Sequence, residues 1–120
     1  MRRLAPAPRR GYAAAMDTLT LPATGPLIAS EADALDIIGE AGTAGATRVV
    51  IPVSRLAPDF FRLGTGLAGA ILQKCTNYRL AVVIVGDIEA ELAASAALRD
   101  FVRESNRQGA VRFIPSLDAL

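Results

Sequence analysis

Residues 59–87, DFFRLGTGLAGAILQKCTNYRLAVVIVGD, carry a small-residue helix, a short turn and an apolar run that ends in Gly-Asp. The run Leu80 to Val85 (LAVVIV) is apolar throughout, so it cannot be a strand with one wet face. Continuous β-branched runs of this length belong to strands buried on both faces, as in parallel sheets. Arg48 to Val53 (RVVIPV) repeats the pattern. Pro52 has no N–H to donate, which places it at that strand's end or at a sheet edge.

The rest of the chain alternates in the same way. Asp17 to Pro22, with Leu19 and Leu21 in alternation, predicts a short edge strand, and Leu27 to Ala29 a second extended piece after the Gly25-Pro26 turn. Ser30 followed by Asp33 is a variant capping box. It opens a helix with Ala34, Leu35 and Ile38 on its core face, ending within residues 42–45. Asp59 is the expected N-cap of the second helix, where Phe60, Leu63, Leu67, Ile71 and Cys75 recur at helical spacing beside Ala68 and Leu72. Ile88 to Gln108 reads as mostly helical, with Leu98, Phe101, Val102 and Ser105 inward and Arg99, Asp100, Arg103, Glu104 and Arg107 on a solvated face. Gly109 stops it, Ala110 to Ile114 is the last strand, and Ser116 caps a final helix. The expected fold is a single α/β domain over residues 17–120, two-layer or three-layer, with a mostly parallel sheet of four to five strands. Right-handed crossovers are expected to place helices on the sheet's faces.

Residues 1–15, MRRLAPAPRRGYAAA, differ in kind: Pro, Ala and Arg with no hydrophobic period, expected to be a disordered basic extension. Pro6, Pro8, Arg9 and Arg10 stand where a signal peptide needs its apolar stretch. Met16 opens a more ordinary sequence and is read as the functional start.

Composition narrows function by exclusion. The chain has no histidine and one cysteine, Cys75. His-assisted nucleophiles, His ligands, intramolecular disulfides and thiolate metal clusters all fall away, so no metal or cofactor is assigned. A reducing cytoplasm is the simplest home. No apolar run is long enough to span a bilayer, so no membrane partner is expected. Beyond Arg2, Arg3, Arg9 and Arg10, 9 basic residues face 12 acidic ones. An acidic body is a poor nucleic-acid surface. Lys74 is the only lysine among 13 basic residues, either by chance in an arginine-rich composition or because a compact ammonium is wanted there.

The glycines give the sharpest local pattern. Gly64-Thr65-Gly66-Leu67-Ala68-Gly69 is a literal G-x-G-x-x-G, but a dinucleotide site needs it directly after a strand, and here a long connection intervenes. Gly66, Gly69 and Ala70, with Gln73 and Asn77, occupy the side of the helix away from Ile71. Glycine weakens an exposed helix, so this face is expected to lie against another backbone, a ligand or a second subunit. The Gln73 and Asn77 amides, one turn apart, either line a pocket, bond a neighbour or face water. Asp87 ends a strand where open α/β sheets bind ligands, or else caps the next segment. Cys75 falls on the apolar face and reads as core.

The strings DFFRLGTGLAGAILQK, NYRLAVVIVGD and LRDFVRESN resemble the bacterial family known as domain of unknown function 4180. The likeness runs from about Asp17 to Leu120 and implies a small cytoplasmic α/β protein of unassigned activity. One departure is the helix-prone stretch Ile88 to Ala94, where members have a polar loop after Gly-Asp. A more distant similarity is to STAS domains, whose second helix begins with Ser/Thr-Gly-Leu, as in Thr65-Gly66-Leu67; the Asp that normally precedes that motif is replaced by Gly64. This resemblance implies a switch worked by phosphorylation of Thr65.

Two functional classes follow. The first is a non-catalytic regulatory or protein-interaction module, STAS-like, that binds a protein partner or a second copy through Asp59 to Gly69 and the Asp87 loop. The second is a small-molecule-binding protein or enzyme with a site around Lys74, Asn77 and Asp87.

Overall fold

A computed structural model describes residues 17–120, so the predicted arm at 1–15 and the start at Met16 lie outside the described residues. The elements are β1 (Thr18–Thr20), α1 (Glu31–Ala44), β2 (Arg48–Pro52), α2 (Leu67–Asn77), β3 (Ala81–Val85), α3 (Glu89–Ala94), α4 (Ala96–Gln108) and β4 (Val111–Ile114). The four strands form one sheet in the order β1-β2-β3-β4, every pair parallel. The protein is α/β, as the alternation of elements requires.

Because each crossover steps to the next strand in the same direction, right-handed connections bring every helix to the same side. Val49, Ile51, Val82, Ile84 and Phe113 share one core with Ala34, Ile37 and Ala41 of α1, Ile71 and Cys75 of α2, and Leu98 and Val102 of α4. The alternate strand residues Val50, Val83 and Ile114 form a separate cluster, joined by Val85 and, among the described residues, by no helix residue. Among the described residues all the helices pack on one face, so the architecture is the two-layer form of the expected fold. Val50 and Val83 are still only 2% exposed each. Pro52 pairs with Val85 after β1 has ended, since Thr20 is β1's last residue and pairs with Val50. Its missing N–H falls on the side of the vanished neighbour and leaves no gap in the sheet.

The first helix begins as expected: the Ser30 hydroxyl accepts from the Asp33 N–H, and the Asp33 carboxylate accepts from the Ala29 N–H. Its inner face is Ala34, Ile37 and Ala41, a true 3.6-residue stripe, and Leu35, assigned to the core from sequence, is 43% exposed. Asp59 does not cap α2. Residues 58–61 and 63–65 are short 3-10 turns, and α2 starts at Leu67 behind Gly66, whose φ of 78° is left-handed and ends the preceding turn. Phe60 is buried all the same, edge-on to Phe61 at 5.2 Å. The expected single helix over 88–108 is two. Ser95 is extended at φ −146°, and its hydroxyl accepts from the Leu98 N–H to start α4 afresh. After β4 there is only a 3-10 turn, Leu117–Ala119, to which Ser116 contributes no side-chain cap.

Candidate functional site

The connections are unequal at the two ends of the sheet. At the amino ends of the strands they are short: residues 45–47, 78–80 and 109–110. At the carboxyl ends lie the irregular segments 21–30 and 53–66 and the turn at 86–88. Long connections cost backbone order and are retained where they carry a surface. In open parallel sheets that surface is the carboxyl end, where ligands bind.

These segments are tied to one another. Ile28 forms a parallel bridge to Leu56, donating to the Arg55 carbonyl oxygen at 2.7 Å and accepting from the Ala57 N–H at 3.1 Å. The Arg55 guanidinium donates to the carbonyl oxygens of Pro26 (2.9 Å) and Pro22 (3.0 Å), and the Ser54 hydroxyl to that of Ala23 (2.6 Å). One side chain thus closes the loop between β1 and α1. Gly86 follows β3 with φ 145°, and a Cβ there would stand 2.8 Å from Val53 Cγ2. Only glycine lets the ends of β2 and β3 come this close.

A cavity of about 360 Å³ opens at this end, between the ends of β2, β3 and β4, α3 and the last turns of α4. Val53, Ile88, Leu92, Phe113, Ile114 and Pro115 are among its apolar walls. Its polar lining is Asp87, Glu89 and Asn106. The Asn106 amide is already engaged: its Oδ1 accepts from the Phe113 N–H at 2.7 Å and its Nδ2 donates to the Phe113 carbonyl at 3.3 Å. Asp87 uses Oδ1 to accept from the Glu89 N–H at 2.9 Å, capping the turn into α3. A second hollow of about 410 Å³ lies on the other side of α3, between Glu91, Ala94 and Ser95 and the segment Pro58 to Leu63.

Of the sequence-predicted residues, Asp59, Thr65, Gly66 and Asp87 belong to this end. Thr65 Oγ1 is 2.9 Å from the carbonyl oxygens of both Asp59 and Arg62, to which it donates, and it accepts from the Leu67 N–H at 3.2 Å. Its hydroxyl therefore does the capping that Asp59 was assigned; the Asp59 carboxylate instead pairs with exposed Arg62 at 2.9 Å. Gly69 sits in the first turn of α2, and a Cβ at Gly66 or Gly69 would meet nothing within 4 Å. Among the described residues no other backbone approaches that face, which leaves a ligand or a second subunit as the expected contacts; the buried side chains of α2 are Ala68, Ile71, Leu72 and Cys75.

Gln73, Lys74 and Asn77 are not brought to Asp87. Asn77 ends α2 beside the amino end of β3, and Asp87 lies beyond its carboxyl end, roughly 16 Å away for a five-residue strand. Gln73 Nε2 donates to Asn77 Oδ1 at 2.9 Å, so the two amides satisfy each other on the surface. Lys74 pairs with Glu31 of α1 at 3.4 Å, its side chain 31% exposed. Cys75 is buried in the core, and burial pushes its thiol pKa up, opposing the thiolate a nucleophile needs. On the outer face of α4, Arg103 pairs with Asp100 and Arg107 with Glu104, whose carboxyl is held below its ordinary value by hydrogen bonds from Arg107 and Gln108. Among the described residues no group of three or more His, Cys, Asp or Glu is placed to hold a metal ion, and no helix is long and apolar enough to cross a membrane.

Sequence reasoning missed Asn106, Arg55 and the Val53–Gly86 contact. Asn106 had a trace, since it is the last residue of the LRDFVRESN string, but nothing local shows that its amide meets a strand seven residues on. No curated protein and no solved structure matches the chain. A family model matches residues 13–120, nearly the whole of it, and on that ground this chain belongs to the family described as Domain of unknown function (DUF4180).

Proposed function

We propose that this protein is a non-catalytic regulatory module that binds a protein partner through the carboxyl end of its sheet. The observation that carries the reading is the concentration of irregular chain and of both hollows at that end. A shallow, mostly apolar recess beside a hydrogen-bonded ledge suits a side chain inserted by a partner. The alternative site around Lys74, Asn77 and Asp87 is disfavoured, since the three do not converge.

Thr65 is the point at which we propose regulation. Its hydroxyl bridges the 59–62 turn to the first turn of α2. Phosphorylation removes the donated hydrogen bond and adds about −2 charge at a helix N-terminus, remodelling the ledge. Capture of partners from the native lysate tests the reading, with the parent, Leu92→Trp to fill the cavity, Thr65→Glu, and Gln73→Ala as a remote control. A protein retained by the parent and by Gln73→Ala but lost with Leu92→Trp and weakened by Thr65→Glu is the expected result. Retention by Leu92→Trp and loss with Gln73→Ala would place the working surface at the other end and end the proposal.

A further inference from the structure

The cavity at the carboxyl end also specifies what enters it. Its walls are mostly apolar, and among the described residues its polar side chains are one amide and two carboxylates. The amide is spent on Phe113, with its oxygen and its nitrogen both bonded to that residue's backbone. Asp87 keeps Oδ2 after capping the Glu89 N–H. Among the described residues Glu89 enters no ion pair and no basic residue lines the cavity. Arg99 of α4 is bonded through Nη1 to the Leu92 carbonyl oxygen. The entrant therefore meets hydrocarbon inside and uncompensated negative charge at the rim.

We infer that the occupant is an apolar side chain of the partner flanked by Lys or Arg, the apolar group entering between Leu92, Ile114 and Pro115 and the cation meeting Asp87 and Glu89. This rests on the binding-module reading and narrows it to one partner chemistry. An acidic flank would face two carboxylates, and like charges held together are disfavoured. A polar side chain entering there would have to compete with the bonds that Asn106 makes to Phe113.

An amide NMR titration of the full chain tests this with two blocked peptides, acetyl-Gly-Lys-Leu-Lys-Gly-amide and acetyl-Gly-Glu-Leu-Glu-Gly-amide, and with n-hexylammonium. The basic peptide should shift the amides of Gly86, Asp87, Leu92 and Ile114 in a saturable way, and the acidic peptide should not. Asp87→Asn keeps the oxygen that accepts from the Glu89 N–H, and Glu89→Gln keeps the side-chain shape. Each should weaken the basic peptide about two- to fivefold, the range for a solvent-exposed ion pair. Equal binding of the acidic peptide, indifference to both substitutions, or no shift from the basic peptide would overturn the inference. Tighter binding of n-hexylammonium than of the basic peptide would also overturn it, by assigning the cavity to a free amine. If Leu92→Trp abolishes partner capture while the basic peptide fails to bind, the ligand class is wrong and the binding-module reading stands.

Discussion

Asn106 of α4 and Phe113 of β4 are joined by two hydrogen bonds, the side-chain amide answering both the N–H and the carbonyl of one strand residue. The sites that Phe113 turns to the outside of the sheet are the ones a fifth strand would use, because Ala110 and Ile114 give their carbonyls to β3. One asparagine thus closes part of an open edge, which blunts pairing with another chain. Asn106→Ala should lower the unfolding free energy by about 1–3 kcal/mol, the cost of leaving part-buried backbone groups without partners. Asn106→Asp, which keeps the acceptor and loses the donor, should fall between the two. Urea unfolding followed by circular dichroism measures both, and an Asn106→Ala protein as stable as the parent would show that water replaces the amide without loss.

Gly86 is held at φ 145° with Val53 against its Cα. An alanine there meets both an unfavourable backbone region and a side chain 2.8 Å from its Cβ. Gly86→Ala should destabilise by at least ~1–3 kcal/mol from backbone strain alone. Adding Val53→Gly, which removes both the Cγ2 and the Cβ that would stand 2.9 Å away, should recover part of the loss, giving a double variant more stable than the two separate effects predict. Additive effects in thermal melts would mean that the contact is relieved by a backbone shift.

Gly69 is the opposite case. It lies in the first turn of α2 with open space where a side chain would go. Gly69→Ala should stabilise the isolated protein by up to about 1 kcal/mol, the propensity difference in an exposed helix. A loss of stability, or a changed sedimentation coefficient, would show that a second copy occupies that space.

Cys75 is buried and its pKa is raised by that burial. The protonated thiol is a poor nucleophile, so iodoacetamide at neutral pH should leave the native protein unmodified and label it fully in denaturant. A raised folded pKa also means that the unfolded state ionises first. Stability should therefore fall as pH rises through the ordinary thiol range, where the folded protein still holds its proton. Rapid labelling of the native protein would place Cys75 outside a stable core.

What the sequence determined by itself is what near neighbours decide. Ser30 caps α1, and Ala81–Val85, within the apolar run from Leu80, forms a strand buried at its centre, because capping and side-chain alternation act over a few residues. The strings within 59–106 are enough to point to the family. Tertiary structure decided where elements begin and which residues meet. Phe60 and Leu63 continue the helical period of Ile71, yet α2 starts only at Leu67, because the connection from β2 must pack over the carboxyl end before the helix can turn down along the sheet. The period sees spacing and cannot see that route. The same limit applies to Lys74, Asn77 and Asp87: they are near in sequence, and a parallel strand between them sends them to opposite ends. The one-sided placement of the helices has a similar cause. An apolar run says that both faces of a strand are dry, and only the strand order β1-β2-β3-β4, with crossovers all of one hand, puts the helices on a single face.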